Sequence, residues 1–408
     1  MRILFFSDHL LPEPSAPAAH VYDRARIWAE AGHDVTIIAS APNFPVGRVY
    51  DGYRNEWRRI ERRDGIRIVR VKTYIAPNEG IVRRSLDYAS YMVSALFFAL
   101  FERRPDIAIS TSPHLLAAAA GAAFGMLRGV PHVAEIRDLW PASIASTTSL
   151  GRGRLYRLLE RLELWVYRSS RRIIAFTSSY RDDMIARGVD GSKIDVVLNG
   201  ADLRLFHPQA PNEELRARLG LGDAFVVGYL GTLGLAHGLD NVLDAAERVP
   251  ANRVRFLLVG AGAARSHLMA EAERRGLENV VFVDRQEKEA MPAYWSVCDA
   301  SLVHLKDDPL FASVIPSKIF ESMAVGLPVL YVGPAGEGSA IVHAEGAGIV
   351  VPPADPNALA NAVLRLAAEP ARRASLAAAS LAAAPRYSRE RQARASLATL
   401  TRAAGGAA

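Results

Sequence analysis

The chain has 408 residues, a net charge of +6 and a hydrophobic fraction of 50%. This length suits two domains of about 200 residues each better than one core. The longest apolar runs, 88–101 and 115–127, are shorter than the roughly 18 residues that span a bilayer. The short N-terminal apolar segment is soon followed by acidic residues, which predicts a strand rather than a signal peptide.

The first half alternates short β-rich apolar runs with amphipathic stretches. The predicted strands are 3–6, 35–39, 66–71, 107–110, 132–136, 173–176 and 194–198. The predicted helices are 17–31, 82–104, 113–127, 153–169 and 179–187. Alternation of this kind predicts a parallel sheet covered by helices on both faces.

Positive charge is concentrated in the first half of the chain. Residues 1–200 contain 28 Arg and Lys against 21 Asp and Glu, a net +7, whereas residues 201–408 contain 21 against 22, a net −1. The clustered arginines are Arg58, Arg59, Arg62, Arg63, Arg67 and Arg70, followed by Arg83, Arg84, Arg103 and Arg104. They are interpreted either as ordinary solvated surface or as a contact for an anionic membrane, both favoured over nucleic acid.

The alternating pattern is interrupted after residue 200 and then resumes. Pro208 and Pro211 mark the interruption, which we interpret as the linker between domains. The predicted strands of the second half are 225–230, 254–259, 280–283, 300–304, 329–332 and 348–351. The single cysteine, Cys298, lies in an apolar run, which predicts a buried thiol in a reducing compartment.

The pattern predicts an α/β protein of two domains, 1–200 and 201–385. Residues 386–408 are predicted to form a C-terminal helix that packs back toward the N-terminal domain.

The segment 313–328 carries the clearest chemical signal. Pro316 predicts a helix start, where free amides and the helix dipole favour a phosphate. Lys318 and Glu321 are three residues apart and so share one helix face. The opposite face is apolar: Ile319, Phe320 and Met323. A cation for a diphosphate and a carboxylate for sugar hydroxyls together predict a nucleotide-sugar site.

Other candidate ligand groups follow the strands of the second half. Gly231 and Gly260 would let a diphosphate approach the backbone, although a lone Gly-x-Gly makes NAD only a minor interpretation. Arg285 could contact a base or form a surface ion pair. The acidic pairs and the lack of a His/Cys cluster disfavour a metal site.

The strand ends of the first half offer candidates for a second substrate. The segment 15–19 lacks the dinucleotide fingerprint, but its small residues, Ala18 among them, would let a ligand approach. Arg137 and Asp138 either pair with each other or line a cleft. His114 is either a ligand-binding residue or a histidine that merely starts a helix.

Several motifs together resemble the retaining glycosyltransferases of family 4. The segments that carry the resemblance are Ala16-Pro-Ala-Ala19, Asn43-Phe-Pro-Val-Gly47, Glu135-Ile-Arg-Asp-Leu-Trp-Pro141, Val197-Leu-Asn-Gly200, Gly234-Leu-Ala-His-Gly238 and Pro316-Ser-Lys318. The segment from Val197 is similar to the family's hinge, and the other five look most like the N-acetyl-L-fucosamine transferase group of surface-polysaccharide synthesis. The resemblance implies the GT-B fold, in which two Rossmann-like domains face each other across a cleft.

The resemblance also implies roles for individual residues. Glu321 matches the family's ribose-binding carboxylate, while Ser313 replaces the sugar-binding one, so that Ser313, Val314 and Ile315 would face the sugar. Thr232 and His237 stand where the family has cations, which leaves Lys318, helped by the Gly231 amide, to hold the diphosphate. The implied catalytic residues are Lys318, Glu321, Arg137 and Asp138, and the implied acceptor-binding residues are Ala18, Asn43, His114 and Arg137.

The implied activity is transfer of an N-acetylated amino or deoxyamino sugar from UDP to a lipid-diphosphate-linked saccharide, with retention and without a metal ion or further cofactor. Such enzymes act at the cytoplasmic face of the membrane, where a basic N-terminal domain would bind anionic lipid. One alternative is a UDP-sugar 2-epimerase of the same architecture. Another is a membrane-associated scaffold that binds a nucleotide without turnover.

Overall fold

The structure, a computed structural model, describes residues 1–76, 81–141 and 153–405. The chain forms two compact units. Unit 1 comprises Met1–Leu198 and Gln392–Ala408, and unit 2 comprises Asn199–Arg391. The chain therefore leaves unit 1 near the predicted linker and returns to it for its last segment.

The described part of unit 1 contains an eight-stranded sheet. Its strands are β1 (Arg2–Phe6), β2 (Asp34–Ser40), β3 (Arg58–Arg63), β4 (Ile66–Val71), β5 (Ile107–Thr111), β6 (His132–Ile136), β7 (Arg172–Ala175) and β8 (Ile194–Val196). They are ordered β3-β4-β2-β1-β5-β6-β7-β8, and the neighbours are parallel except for β3 and β4. The chain order reverses between β1 and β5, which is where doubly wound sheets bind ligands.

Strand β3 was not predicted, because its arginine-rich sequence lacks the apolar run of a buried strand. It pairs antiparallel with β4 through a turn at Asp64 and Gly65, which have φ angles of 49° and 76°. An Asp-Gly pair with positive φ angles is typical of a tight hairpin. Charged side chains suit β3 because it lies at one edge of the sheet.

Unit 2 contains, in its described residues, a six-stranded parallel sheet. Its strands are β9 (Phe225–Leu230), β10 (Val254–Val259), β11 (Val280–Val283), β12 (Ala300–His304), β13 (Val329–Val332) and β14 (Gly348–Val351), in the order β11-β10-β9-β12-β13-β14. All six have the predicted bounds, since each is a short and mostly apolar run. The predicted α/β fold with two Rossmann-like domains is confirmed.

Helices cover both sheets. Those of the first half are α1 (Ala16–Glu30), α2 (Ile81–Leu100), α3 (Leu115–Arg128), α4 (Arg154–Ser169) and α5 (Ser178–Ala186). Those of unit 2 are α6 (Glu213–Arg218), α7 (Asp240–Ala246), α8 (Arg265–Arg274), α9 (Met291–Ser296), α10 (Lys318–Ala324), α11 (Glu337–Ala344), α12 (Pro356–Ala368) and α13 (Pro370–Ala383). Cys298 is free and buried in this unit.

The last helix, α14 (Arg389–Ala403), crosses back into unit 1, where Gln392 and the residues after it belong. Ala393, Leu400 and Ala403 are buried in the same core cluster as Trp28. The Trp28 indole donates a 2.8 Å hydrogen bond to the Ala393 carbonyl. The end of the chain is therefore part of the core of unit 1.

Several arginines of the predicted basic cluster are used inside unit 1. Arg58 and Arg67 both form ion pairs with Glu102. Arg70 is buried and donates to the carbonyls of Ser40 and Leu11 at 3.0 and 2.6 Å. These three side chains are therefore committed to the fold rather than to a ligand. Among the described helices, none is long and apolar enough to cross a membrane.

Candidate active site

Helix α10 begins at Lys318, so Pro316 precedes the helix rather than lying in its first turn. The Pro316 carbonyl still accepts a 3.1 Å hydrogen bond from the Ile319 amide. The apolar face of α10 is completely buried: Ile319, Phe320 and Met323. Lys318 and Glu321 are only partly buried. The predicted division of this helix into a packing face and a polar face is therefore observed.

The side chain of Lys318 lies over the end of β9. Its Nζ atom is 3.7 Å from the centre of the Tyr229 ring. A Cβ atom at Gly231 would lie 2.6 Å from Lys318 Cε. Gly231, with a φ of 137°, therefore makes room for the lysine stem.

The position of Lys318 is at the chain-order reversal of the unit 2 sheet, between β9 and β12. These two strands pair only at Val227 with Ala300 and at Gly228 with Ser301. Such a reversal is the place where open α/β sheets bind ligands.

Burial shifts the pKa values of Lys318 and Glu321 toward each other. It lowers the pKa of Lys318 to about 7, while the nearby Glu321 carboxyl opposes the change. Burial also raises the pKa of Glu321 to about 7, opposed by Lys318 and Lys288. An anion bound beside Lys318 would favour its charged form, because opposite charges stabilise each other.

The glycines at the strand ends have packing roles. The Gly231 amide donates a 2.8 Å hydrogen bond to the Val259 carbonyl, so this amide already has a partner within the fold. A Cβ atom at Gly260 would lie 1.8 Å from the Gly231 carbonyl oxygen. Gly260 is therefore needed for the close approach of two loops.

His237 cannot supply the cation that the family has in this region. Its Nδ1 lies 3.2 Å from the His304 carbonyl, and the His304 ring in turn lies 2.6 Å from the His237 carbonyl. Burial, followed by the charge of Lys318, lowers the pKa of His237 to about 4. His237 is therefore neutral near pH 7. Thr232 is exposed, and its carbonyl accepts a 2.7 Å hydrogen bond from the Tyr229 hydroxyl.

The remaining predicted donor residues follow strands β12 and β11. Ser313 closes the short 3-10 helix Pro309–Ser313, and its hydroxyl donates to the Leu310 carbonyl at 3.1 Å. Val314 and Ile315 continue from it toward α10 and are partly buried. Arg285 is exposed and follows the edge strand β11, two strands from β9.

In unit 1, the loops after β1 and β2 are tied together by Glu13. Its carboxylate accepts hydrogen bonds from the amides of Asn43 and Phe44 at 2.8 and 3.0 Å. The Asn43 side chain donates to the Ala41 carbonyl at 2.9 Å. Ala18 is fully buried, and its amide donates to the Ser15 hydroxyl that caps α1. Asn43 and Ala18 therefore shape these loops.

His114 caps helix α3. Its Nδ1 accepts a 2.9 Å hydrogen bond from the Ala117 amide, and its Nε2 lies 3.9 Å from a carboxylate oxygen of Asp8. The Tyr88 ring packs edge-on against the imidazole, with ring centres 4.0 Å apart. Burial, with the charges of His9 and Arg84, keeps the pKa of His114 well below its usual range.

Arg137 packs against buried residues of unit 1. Its guanidinium stacks on Phe176, 4.6 Å from the ring centre, and lies 3.8 Å from Glu135. Glu135 is itself completely buried and paired with Arg24. Burial lowers the pKa of Arg137 to about 10. The adjacent Asp138 is partly buried.

Sequence reasoning missed a polar cluster at the end of β1. Asp8, His9 and Glu13 are brought together there, and Asp87 interacts with all three electrostatically. Burial opposes the charged form of His9, but the 2.8 Å hydrogen bond to Glu13 and the neighbouring carboxylates raise its pKa to about 9. The sequence signal for this cluster is the Asp8-His9 pair, which follows the first predicted strand.

Comparisons with known proteins agree with this architecture. Residues 15–200 match the family model of a glycosyl transferase 4-like domain, and residues 224–369 match that of glycosyl transferases group 1. The chain therefore belongs with the glycosyltransferases, with a 4-like domain in its first half and a group 1 domain in its second. No group of three or more His, Cys, Asp and Glu side chains within the described ranges is arranged to hold a metal ion.

Individual relatives extend over most of the chain. It is 27% identical over 334 residues to the putative colanic acid biosynthesis glycosyl transferase WcaI of Escherichia coli K12, covering 80% of this chain and 82% of the relative. It is 26% identical over 335 residues to a GDP-mannose-dependent alpha-mannosyltransferase of Mycobacterium tuberculosis, covering 81% and 78%. The crystal structure of Anabaena Alr3699/HepE in complex with UDP matches with a TM-score of 0.72 and 19% identity, covering 98% and 100%. The fold is GT-B.

Proposed function

We propose that this protein transfers a sugar, an N-acetylated amino or deoxyamino sugar, from UDP to a hydroxyl of a lipid-diphosphate-linked saccharide, with retention of the anomeric configuration. The pathway would be synthesis of a surface polysaccharide such as an O-antigen or capsule. The observation that carries the proposal is the partly buried Lys318 and Glu321 pair at the chain-order reversal between β9 and β12.

Lys318 would bind the diphosphate of the donor. It is the cation that lies over the end of β9, whereas the nearby His237 is held neutral by burial. As the bond between the anomeric carbon and the diphosphate oxygen breaks, negative charge grows on the leaving group. A positioned cation stabilises that charge most where water is excluded. Lys318 would thus supply the charge that a metal ion supplies in other transferases.

Glu321 would accept hydrogen bonds from the ribose, and Ser313, Val314 and Ile315 would face the sugar. The acceptor oxygen would form the new bond on the face that the leaving group vacates. Its proton would pass to the departing phosphate oxygen, so the step balances without a protein base. Arg137 and Asp138 would contact the acceptor side.

The names of the relatives support the pathway but leave the donor open. WcaI is described as acting in colanic acid biosynthesis, and the HepE structure contains UDP. The mycobacterial relative is described as dependent on GDP-mannose. The sequence motifs of the N-acetyl-L-fucosamine transferase group favour a UDP donor.

The acceptor lipid implies that the enzyme works at the inner surface of the cytoplasmic membrane. Helix α2 and the turn after it carry exposed apolar side chains at helical spacing, Leu86, Val93, Phe97 and Phe101, which are 53% to 68% exposed. Arg103 and Arg104 follow and are exposed. An apolar face bordered by arginines suits an anionic lipid surface.

The proposal is tested by thermal-shift screening of the purified chain against UDP-, GDP- and dTDP-sugars, because a bound ligand stabilises the folded state. We expect stabilisation by a UDP-sugar, and transfer to a lipid-linked acceptor in the presence of EDTA. Stabilisation by GDP-sugars alone would contradict the UDP assignment. A new sugar isomer formed from the UDP-sugar without acceptor would identify an epimerase, and binding without turnover on any acceptor would identify a scaffold.

A further inference from the structure

The chain-order reversal of the unit 1 sheet carries two buried polar side chains that face each other. Asp8 follows β1 and His114 follows β5, and these strands are neighbours on either side of the reversal. Asp8 is 5% exposed and His114 is 6% exposed. The two residues therefore form the floor of the position where this type of sheet binds a ligand.

Both side chains have an atom without a hydrogen-bond partner in the described part of the chain. These atoms are Oδ1 of Asp8 and Nε2 of His114. The His114 nitrogen is 3.9 Å from the other Asp8 oxygen, Oδ2, which is too far for a direct hydrogen bond. Buried polar groups are nearly always hydrogen-bonded, so this pair is incomplete without a further group.

The hydrogen-bonding roles of the two side chains follow from their surroundings. Nδ1 of His114 accepts the Ala117 amide, so the proton of the neutral imidazole is on Nε2. His114 therefore offers a donor. Burial raises the pKa of Asp8, and Oδ1 of its carboxyl group offers an acceptor. The edge-on contact with Tyr88 holds the imidazole in this orientation.

The surroundings of the pair select among ligands. Glu13 and Asp87 add carboxyl groups, while His9, whose pKa is raised to about 9, and Arg84 add positive charge. An anion such as the phosphate of the acceptor could accept from His114 but would leave the Asp8 oxygen without a donor. A metal or ammonium cation would suit Asp8 but not the N–H of His114. A hydroxyl group both donates and accepts, so it satisfies both partners.

We propose that Asp8 and His114 together bind a hydroxyl group of the acceptor sugar, with the hydroxyl donating to Asp8 and accepting from His114. His9 and Asp87, which are partly exposed, form the rim through which the sugar reaches the pair. This inference rests on the proposed glycosyltransferase function and adds to it the recognition of a neutral hydroxyl by unit 1. Asp8 is an acceptor-binding residue in this account and need not take the proton.

The test uses the full chain and saturation-transfer NMR with n-octyl β-D-glucoside, n-octyl β-D-galactoside and n-octyl N-acetyl-β-D-glucosaminide as probes. The variants are Asp8→Asn, which keeps the shape of the side chain, and His114→Asn, which keeps a good helix cap but removes the Nε2 donor. We expect at least one glycoside to bind the wild type and to bind each variant roughly two- to tenfold more weakly, the effect of losing one hydrogen bond.

The matched control is Asp106→Asn, which removes a carboxylate at the opposite end of the same sheet, next to Arg2. It should bind the glycosides as the wild type does. Wild-type binding of every probe by Asp8→Asn, or no binding of any probe by the wild type, would overturn the inference. If Asp8→Asn does not fold, His114→Asn decides the question. UDP calorimetry on the same proteins distinguishes failure of this inference from failure of the proposed function. If UDP does not bind the wild type, the proposed function is contradicted.

Discussion

The ammonium nitrogen of Lys318 lies 3.7 Å from the centre of the Tyr229 ring, at the carboxyl end of β9. The negative face of an aromatic ring attracts a cation, and this attraction strengthens as water is removed. The ring therefore favours the charged form of a lysine whose burial lowers its pKa to about 7. This contact positions the cation that we assign to the donor diphosphate.

Replacing Tyr229 by leucine should weaken UDP binding. The substitution removes the ring beneath Lys318 and so removes a contribution of about 0.5 to 2 kcal/mol to its charged form. We expect a rise in the dissociation constant for UDP of roughly 2- to 30-fold, measured by calorimetry.

Tyr229→Phe is the matched control for this prediction. It keeps the ring but loses the hydroxyl that donates to the Thr232 carbonyl. The phenylalanine variant should bind UDP much more tightly than the leucine variant. Equal affinities of the two variants would show that the ring does not act through Lys318.

UDP affinity should fall as the pH rises above about 7. The pKa of Lys318 in the free protein is about 7, so the lysine is charged below this pH and neutral above it. The loss of the positive charge of Lys318 therefore opposes an anionic ligand at higher pH.

Calorimetry of UDP binding between about pH 6.5 and about pH 9 checks this pH dependence, with an expected loss of up to tenfold per pH unit from the deprotonation of Lys318. The wild type should also take up a proton on binding above pH 7, detectable in buffers of different ionisation enthalpy. The Lys318→Met variant should take up less. A pH-independent affinity in the wild type would contradict the assigned role of Lys318.

Gly231→Ala should displace Lys318. The added Cβ would lie 2.6 Å from Lys318 Cε, and the φ of 137° is unfavourable for alanine. We expect weaker UDP binding together with a loss of stability of about 1 to 3 kcal/mol. Gly276→Ala provides the control, because it also has a positive φ but has no atom within 4 Å of the added Cβ. Gly276→Ala should lose stability and keep its UDP affinity; if it loses affinity as Gly231→Ala does, the clash with Lys318 is not the cause.

The sheet of unit 2 could be predicted from the sequence because its central strands are buried on both faces. Strands β9, β12 and β13 are buried along their whole length, and each strand from β9 to β14 is a mostly apolar run between loops, from which its bounds follow. Strand β3 could not be found in that way, since an edge strand needs no apolar run.

The polar face of α10 was also predictable, because Lys318 and Glu321 are close in sequence. The hydrogen bond of the Gly231 amide could not be predicted, because its partner, the Val259 carbonyl, belongs to another strand. The pairing of Asp8 with His114 likewise joins positions 106 residues apart, a contact that depends on strand order. Periodicity identifies elements but does not determine which strand ends are neighbours.

Leu400→Ala should destabilise unit 1 although residue 400 is far along the chain. Leu400 is completely buried in a core cluster with Trp28. Truncating a buried leucine costs about 2 to 5 kcal/mol. Leu381→Ala, at a side chain that is 40% exposed, should cost much less. Hydrogen exchange of β1 and β5 amides provides the measurement, and equal protection in both variants would show that α14 does not support unit 1.

Phe97→Ser combined with Phe101→Ser should reduce membrane binding without loss of stability. Both side chains are exposed, at 53% and 68%, so their removal opens no cavity. Co-sedimentation with vesicles of phosphatidylglycerol should fall relative to the wild type, and with it the transfer rate to a lipid-linked acceptor. Met269→Ser, at an exposed apolar residue of unit 2, is the control. Unchanged sedimentation of the double variant would show that α2 is not the membrane contact.

The most direct test of the assignment of Lys318 to the donor diphosphate is a calorimetric titration of UDP into wild type, Lys318→Ala and Arg274→Ala. Arg274 is an exposed cation of the same unit that pairs with Glu271 on helix α8. We predict that Lys318→Ala loses about tenfold or more in UDP affinity, as expected for a lost charged contact, while Arg274→Ala binds as the wild type does. Wild-type UDP affinity in a folded Lys318→Ala protein would contradict the account.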